Sequence, residues 1–232
     1  MTDFIFPPPA TPGVAIRGRS DRYPINRIFC VGRNYEAHAA EMGATVDREA
    51  PWYFTKSPAS FVASGASVPY PPGTSNFHYE MELVLAIGAP VFRADLAQAG
   101  AAIWGYASGL DMTRRDRQQD GKDNRRPWDL GKDVEDSAVI AALSPAADLP
   151  DLPGRRIWLT VNGAVKQDAT LAEMVWSPAE IVSHLSRYYH LVPGDLIMTG
   201  TPAGVGPVVA GDRIEGAVEG LEPVQLALGP AE

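Results

Sequence analysis

Apolar residues occur in short runs separated by glycine and proline, a pattern that predicts many strands joined by tight turns. The clearest strand is predicted over Glu80–Ile87, because its second half is continuously apolar, as in a strand buried on both faces of a sheet. Further strands are predicted over Arg27–Gly32 and Trp104–Met112. After residue 190, apolar runs alternate with turn residues, which predicts a β-rich end of the chain.

Helices are predicted where helix-forming residues follow a capping residue. The best-marked helix begins at Ser177, has Pro178 at its first position and Glu180 to complete a capping box, and extends to about His190. Asn34 is the predicted cap of a short helix. The shorter helices are predicted at Asn34–Met42, Asp95–Ala102 and Arg114–Asn124.

Turn chemistry completes the predicted fold. Asn162-Gly163 between two apolar runs (157–161 and 164–167) predicts a β-hairpin, and the proline-interrupted segments 51–61 and 67–72 predict edge strands and loops. The 22 glycine and 21 proline residues are spread along the chain, and no repeat marks a second domain. We therefore predict an extended arm over residues 1–24 and one α+β, β-rich domain over residues 25–232.

Charge and cysteine content exclude several classes of function. The chain has 20 Lys and Arg against 28 Asp and Glu, and its formal charge of −8 argues against nucleic acid or an anionic membrane as a partner. Its single cysteine, Cys30, lies in an apolar strand and is predicted to be a small core residue. With neither a disulfide nor a recognisable export signal, a cytoplasmic location is expected.

Three acidic residues form a candidate metal site. Glu80 and Glu82 are two apart in the strongest predicted strand, so both carboxylates point to the same face. Taken alone, this spacing is more typical of a solvated strand face. Asp111, however, closes the next long strand, where an acid in an apolar sequence needs a partner. Carboxylates from two strands favour Mg²⁺ or Mn²⁺, with Ca²⁺ as a further candidate.

His38 and Glu41 form a candidate general base. They are three residues apart on the predicted helix and therefore on one face. A carboxylate beside an imidazole orients the ring and raises its basicity. The alternative for any pair at this spacing is two solvated surface residues.

Four further side chains are candidates for holding an anionic substrate. Lys56 and Lys132 are single cations in mostly apolar stretches, although lysines commonly extend to solvent. Arg115 and Gln118 follow Asp111 closely and supply cationic and amide groups there, with a charged helix face as the alternative.

The glycine-rich turn over residues 199–206 is a candidate backbone nest for a carboxylate. It lacks the ending of a phosphate loop and is not a dinucleotide fingerprint.

In chain order, six blocks resemble the fumarylacetoacetate hydrolase family. The blocks are Val31-Gly32-Arg33-Asn34-Tyr35 with His38 and Glu41, Phe54-Thr55-Lys56, His78-Tyr79-Glu80-Met81-Glu82, Leu110-Asp111-Met112-Thr113 with Arg115-Asp116-Arg117-Gln118, Trp128 to Lys132, and Thr199 to Gly206. They extend over about residues 26–220, and their shared order is far more specific than any one block. The resemblance implies a mixed β-sandwich roll with a few short helices, assembled as a homodimer.

The resemblance also implies an activity, which is cleavage of a carbon–carbon bond in an acylpyruvate or related diketo acid. The segments 110–116 and 193–202 are most similar to members that cleave fumarylpyruvate to fumarate and pyruvate in the degradation of aromatic compounds. The implied roles are metal binding by Glu80, Glu82 and Asp111, water activation by His38 and Glu41, enolate stabilisation by Lys132, and substrate binding by Arg33, Lys56, Arg115, Gln118 and Thr201.

Two other functions remain open from the sequence. Oxaloacetate decarboxylation or tautomerisation uses the same chelate and enolate but needs no attacking water, so dependence on His38 and Glu41 discriminates it. A binding module that kept only the fold would be expected to have lost the carboxylates or the base, and both are present.

Overall fold

The computed structural model describes residues 4–231, and strands dominate that range. The strands are β1 (Gly13–Ala15), β2 (Arg22–Pro24), β3 (Arg27–Val31), β4 (Tyr53–Lys56), β5 (Phe61–Ala63), β6 (Ala66–Tyr70), β7 (Phe77–Tyr79), β8 (Met81–Ile87), β9 (Ile103–Asp111), β10 (Thr113–Arg114), β11 (Ala138–Ile140), β12 (Ser144–Pro145), β13 (Arg156–Val161), β14 (Ala164–Thr170), β15 (Asp195–Met198), β16 (Gly206–Val208), β17 (Arg213–Val218) and β18 (Val224–Ala231). The helices are α1 (Glu36–Glu41), α2 (Leu96–Ala101), α3 (Arg115–Asp123), α4 (Asp129–Lys132) and α5 (Pro178–Leu185), with 3₁₀ turns at Pro58–Ser60, Ala146–Asp148 and Leu171–Glu173.

Two large mixed sheets organise the molecule. The larger has the strand order β4-β3-β15-β8-β9-β11-β5, with β12 paired to β9, and the second has the order β14-β13-β17-β18-β6. A small sheet of order β10-β7-β16 and the pair β1-β2 complete the arrangement. This is the β-rich, mixed roll that the sequence predicts, and the few helices are short.

Strand β8 shows why its sequence is continuously apolar. It lies between β15 and β9 in the larger sheet, and all of its residues are buried. Leu83 and Leu85 face the main core shared with the second sheet, whereas Val84 and Ala86 face a second core on the other side. Alternate residues of a strand point to opposite faces, so both sets must be apolar.

The predicted edges and hairpin are confirmed. β4 and β5 end the larger sheet and β6 ends the second, which are the places where prolines cost least. Asn162 and Gly163 connect β13 to β14 with φ angles of 52° and 80°, the left-handed pair that a tight hairpin turn requires.

The helix predictions need two corrections. The capping box of Ser177 and Glu180 is present, but α5 ends at Leu185 rather than near His190. The following residues form tight turns, and Leu191 then pairs with Val91, so the chain leaves the helix axis early.

Asn34 does not cap α1, which begins after Tyr35 without a side-chain cap. Its amide instead donates to the carbonyls of Trp176 and Thr199 and accepts from the Trp176 N–H. Asn34 therefore connects its own loop with the loop at Trp176 and with the glycine-rich turn at Thr199.

Four residues of segment 14–25 pack against the larger sheet. β1 and β2 pair with each other, and Val14, Ile16 and Tyr23 contribute to the second core. The division of the chain into an arm and one domain stays a prediction. Across residues 4–231, no helix has the length and apolar content to cross a bilayer.

Candidate active site

The register of β8 and β9 brings the three predicted carboxylates together. Glu82 pairs with Gly109, and the Asp111 N–H donates to the Glu80 carbonyl at 2.9 Å. One ligand oxygen from each of Glu80, Glu82 and Asp111 lies within 4.8 Å of the others, and all three residues are buried. The cluster therefore belongs to the interior and is not the solvated strand face that spacing alone suggested.

Cations surround this cluster. The Lys132 ammonium donates to Glu80 Oε2 at 2.6 Å, to Asp111 Oδ2 at 2.7 Å and to Thr113 Oγ1 at 2.8 Å. The Arg115 guanidinium donates to Glu80 Oε1 at 2.5 Å. Together, Glu80, Glu82, Asp111, Arg115 and Lys132 form what we call the pocket floor.

These contacts shift the pKa values of Glu80 and Glu82 in opposite directions. Burial opposes ionisation of Glu80, but Lys132 and Arg115 outweigh it and hold its pKa below the usual range. Burial, Asp111 and Glu80 all raise the pKa of Glu82 well above its ordinary value. Burial alone lowers the pKa of Lys132, yet Asp111 and Glu80 raise it overall, which keeps the ammonium charged.

The donor set fits a divalent cation. Lys56 Nζ lies 2.9 Å from Asp111 Oδ1, yet its hydrogen bonds go to the carbonyls of Met112 and Lys132 and to Ser137 Oγ. Within residues 4–231, Asp111 Oδ1 is therefore a buried oxygen without a hydrogen bond. Hard carboxylate oxygens suit Mg²⁺ and Mn²⁺, and a divalent charge offsets the repulsion that raises the pKa of Glu82.

His38 and Glu41 face the same pocket from α1. His38 Nδ1 lies 3.4 Å from Glu41 Oε2, and the imidazole is buried, with 8% of the residue exposed. Burial lowers the His38 pKa, while Glu80 and the hydrogen bond to Glu41 partly restore it. The imidazole is thus mostly neutral at pH 7 and able to accept a proton.

The glycine-rich turn donates backbone hydrogen bonds both to Glu41, beside the candidate base, and to Glu82 of the pocket floor. The Gly204 N–H donates to Glu41 at 3.1 Å and 3.2 Å, and the Gly200 N–H donates to Glu82 Oε2 at 2.7 Å. Both glycines have positive φ angles, 93° at Gly200 and 98° at Gly204, which other residues rarely adopt. The turn donates backbone N–H groups to carboxylates, as a nest does, but these carboxylates belong to the protein.

Most of the predicted site residues line one pocket with about 410 Å³ of empty space, part of it open to solvent. The lining includes Arg33, His38, Glu80, Glu82, Arg115, Gln118, Lys132 and Thr201. Glu41, Asp111 and Lys56 stand behind these residues. Lys56 is only 2% exposed and contacts Asp111, so its position is that of a support for the carboxylate.

Two further residues position the predicted ones. Gln167 on β14 donates to Thr201 Oγ1 at 2.8 Å and accepts from the Met81 N–H. His78 accepts from Arg115 Nε at 3.4 Å, and burial and Arg115 lower its pKa to about 4. Neither role follows from the sequence pattern, because both depend on contacts between distant segments.

An aromatic wall and one more lysine complete the pocket. Trp128 packs against Trp52, with ring centroids 5.0 Å apart, and against Phe54 at 6.2 Å. Lys122 Nζ lies 5.2 Å from the centroid of the Trp128 ring. We call Arg33, Trp52, Lys122 and Trp128 the pocket rim. The signal for Lys122 is its spacing from Arg115 and Gln118, which places all three on one face of α3.

Comparison with known proteins identifies the family of this chain. The family described as "Fumarylacetoacetate (FAA) hydrolase C-terminal" matches residues 27–227, which includes every residue of the pocket floor. The chain belongs to the fumarylacetoacetate hydrolase family. The resemblance expected from the six sequence blocks is thereby confirmed.

Individual members of the family match over nearly their whole length. A fumarylpyruvate hydrolase from Ralstonia sp. is 55% identical over 193 residues, covering 82% of this chain and all of the relative. A mitochondrial oxaloacetate tautomerase from Mus musculus is 38% identical, covering 88% and 92%. The crystal structure of fumarylpyruvate hydrolase from Pseudomonas aeruginosa in complex with Mn²⁺ and pyruvate matches with a TM-score of 0.93 and 43% identity, covering 98% and 100%.

Proposed function

We propose that this protein is a metal-dependent acylpyruvate hydrolase that cleaves fumarylpyruvate with water into fumarate and pyruvate. One observation carries the proposal. The buried carboxylate cluster and the His38–Glu41 pair meet in one pocket, in a chain that is 55% identical to the Ralstonia fumarylpyruvate hydrolase. The predicted class, a hydrolase that acts on carbon–carbon bonds, agrees with these relatives.

The pocket floor is the proposed site for the pyruvoyl end of the substrate. Glu80, Glu82 and Asp111 would hold a divalent cation, which supplies a Lewis acid for the 2-oxo carboxylate when it is bound. Arg115 and Thr201 line the same space and are placed to orient the substrate carboxylate and 2-oxo group. Gln118 lies beside Arg115, and its Oε1 accepts a hydrogen bond of 2.6 Å from the Arg115 guanidinium.

His38 is the proposed general base. Glu41 accepts the Nδ1–H, so Nε2 remains free to take a proton from water. The water oxygen then bonds to the acyl carbonyl carbon, and the bond between that carbon and the pyruvate methylene breaks. Its electron pair stays with the pyruvate fragment as an enolate.

Lys132 is placed to stabilise the enolate, because its ammonium is charged and fixed at the pocket floor. The protonated His38 then returns its proton to the methylene carbon, which becomes the methyl group of pyruvate. One water is consumed, and its oxygen ends in the new carboxylate of fumarate.

Oxaloacetate tautomerisation is the second candidate function, since a tautomerase from Mus musculus is 38% identical. That reaction transfers a proton and needs no attacking water, and the higher identity to the Ralstonia hydrolase, 55% against 38%, favours hydrolysis. The physiological metal, Mg²⁺ or Mn²⁺, a cytoplasmic location and a homodimer belong to the same proposal. So does the arrangement of one catalytic domain over residues 25–232 behind an arm.

The test follows the loss of fumarylpyruvate enol absorbance by the purified protein. Reactions with Mg²⁺, with Mn²⁺ and after chelation are compared, and acetylpyruvate and oxaloacetate are run in parallel. Cation-dependent loss that yields fumarate and pyruvate supports the proposal. Turnover of oxaloacetate alone overturns it in favour of the second candidate.

A further inference from the structure

Lys122 is a half-buried cation that faces the pocket without an acidic partner. It follows Arg115 by seven residues on α3, which puts the two side chains on the same helical face. Both line the pocket. Within residues 4–231, no carboxylate lies within ion-pair distance of Lys122, and its ammonium rests 5.2 Å from the Trp128 ring centroid. A lysine held in this way lacks the anion that a desolvated charge requires.

Arg33 is a second unpaired cation of the same pocket. It follows β3 directly and is partly buried, and within the described residues it makes no salt bridge. Burial, Arg115 and Arg33 lower the pKa of Lys122 by more than Glu80 raises it, so the cations of the pocket outweigh this carboxylate at the ammonium. A protein with a formal charge of −8 thus concentrates uncompensated positive charge at one opening.

The floor does not need these two charges. Two of its carboxylates, Glu80 and Asp111, already contact three cations, Lys56, Lys132 and Arg115, at distances between 2.5 Å and 2.9 Å. A divalent cation would add two positive charges, of which the pyruvoyl carboxylate offsets one. The charges of Arg33 and Lys122 therefore remain for another anionic group of the substrate.

The aromatic wall connects the floor with these cations. Lys132 Nζ lies 5.0 Å from the Phe54 ring centroid, and Lys122 Nζ lies at 5.2 Å from that of Trp128. The two rings are 6.2 Å apart. A planar, conjugated acyl chain that starts at the floor and packs along this wall would run towards Lys122.

We propose that Lys122 and Arg33 bind a carboxylate at the acyl end of the substrate and so select acylpyruvates that carry two carboxylates. This inference rests on the proposed function and deepens it. It makes the pocket rim the determinant of substrate class, while the floor acts on the pyruvoyl end that all acylpyruvates share.

The test compares fumarylpyruvate, which has the second carboxylate, with acetylpyruvate, which lacks it. Lys122→Met is expected to lower kcat/KM for fumarylpyruvate about 10- to 100-fold, mainly through KM, because one charge-assisted hydrogen bond is lost. The value for acetylpyruvate should stay within about threefold, since that substrate makes no such bond. Lys122→Arg keeps the charge and should keep the preference.

Arg126→Met is the matched control, because Arg126 is an exposed cation of the same segment, outside the pocket lining. Arg33→Met provides a second variant should Lys122→Met fail to fold, which circular dichroism detects. Fumarate inhibition, measured against either substrate, should also weaken in both variants.

The possible outcomes separate the two proposals. Equal losses on both substrates, or no loss on either, overturn the carboxylate role of Lys122 and leave the hydrolase function in place. A wild-type protein that hydrolyses neither acylpyruvate overturns the proposed function, and this inference with it.

Discussion

The floor and the rim of the pocket differ in how their charges are balanced. On the floor, Glu80 and Asp111 are buried at strand ends and contact cations at hydrogen-bond distance. On the rim, Arg33 and Lys122 lie on a loop and a helix and, among residues 4–231, have no carboxylate partner. Paired charges on strands keep one geometry for the reaction, whereas unpaired charges on surface segments are available to a ligand. The predictions below test this difference.

The largest expected effect comes from removing one carboxylate of the floor. Asp111→Ala should lower turnover by about 10⁴-fold and abolish divalent-cation binding, because the cation contributes several kcal/mol to the transition state. Turnover with fumarylpyruvate and Mn²⁺ titration by calorimetry measure the two effects.

Loss of Asp111 also removes the carboxylate that Lys56 contacts and one of the two that contact Lys132, which can destabilise the fold by itself. Asp111→Asn keeps the shape of the side chain and serves as the second variant, with circular dichroism to verify folding. Full activity in a folded variant contradicts the metal assignment.

Removing the base should leave the floor intact. His38→Gln is expected to lower hydrolysis about 10³-fold, in the range of general-base catalysis, with Mn²⁺ affinity unchanged. His190→Gln is the matched control, since His190 is exposed and stacks on Phe92 away from the pocket. Hydrolysis that persists in His38→Gln contradicts the role of His38, and retained oxaloacetate turnover with lost hydrolysis separates the two activities.

Substitution of Gly204 in the glycine-rich turn should have a smaller effect on activity. At Gly204, a Cβ atom would collide with the Lys166 carbonyl, so Gly204→Ala must move the N–H that holds Glu41. We expect kcat to fall about tenfold and the free energy of unfolding to drop by roughly 1–3 kcal/mol.

Gly211→Ala is the matched control, because it introduces similar backbone strain without the steric contact that an added Cβ makes at Gly204. Gly211 has a φ of 96°, close to the 98° of Gly204, but no atom lies within 4 Å of its added Cβ. Chemical denaturation and steady-state kinetics compare the two variants. Equal losses of activity would assign the effect to the φ angle and remove the positioning role of Gly204.

The smallest effect is a shift in pH dependence. His38 acts as a base in its neutral form, so kcat/KM should rise with pH and level off through a pKa below 6.5, as burial of the imidazole requires. The hydrogen bond that His38 donates to Glu41 raises this pKa, so Glu41→Gln should move the acid limb to still lower pH. An acid limb above 6.5 in the wild type, or one that moves upward in the variant, contradicts this account.

Strand identity and the shared face of Glu80 and Glu82 were predictable from the sequence because both depend on local pattern. The period of two in Glu80–Glu82 and the apolar run of β8 fix which residues share a face. The single thiol Cys30 is fully buried, as expected of a core residue.

Contacts between distant segments were not predictable in this way. Asn34 has the local signature of a helix cap, but its amide is used by loops at Trp176 and Thr199. The support of Thr201 by Gln167 and of Arg115 by His78 likewise depends on tertiary packing. Lys122 had a local signal, its helical spacing from Arg115, but its lack of a partner is visible only in three dimensions.

The central claim is that water cleaves the acyl carbon–carbon bond above the pocket floor. Turnover of fumarylpyruvate in oxygen-18-labelled water, with mass spectrometry of the fumarate, tests it most directly, because the carboxylates of fumarate do not exchange their oxygens under these conditions. The account predicts one labelled oxygen in the new carboxylate of each fumarate formed, and none when the cation is chelated and turnover stops. Unlabelled fumarate, or consumption of fumarylpyruvate without any fumarate formed, would contradict hydrolysis at this site.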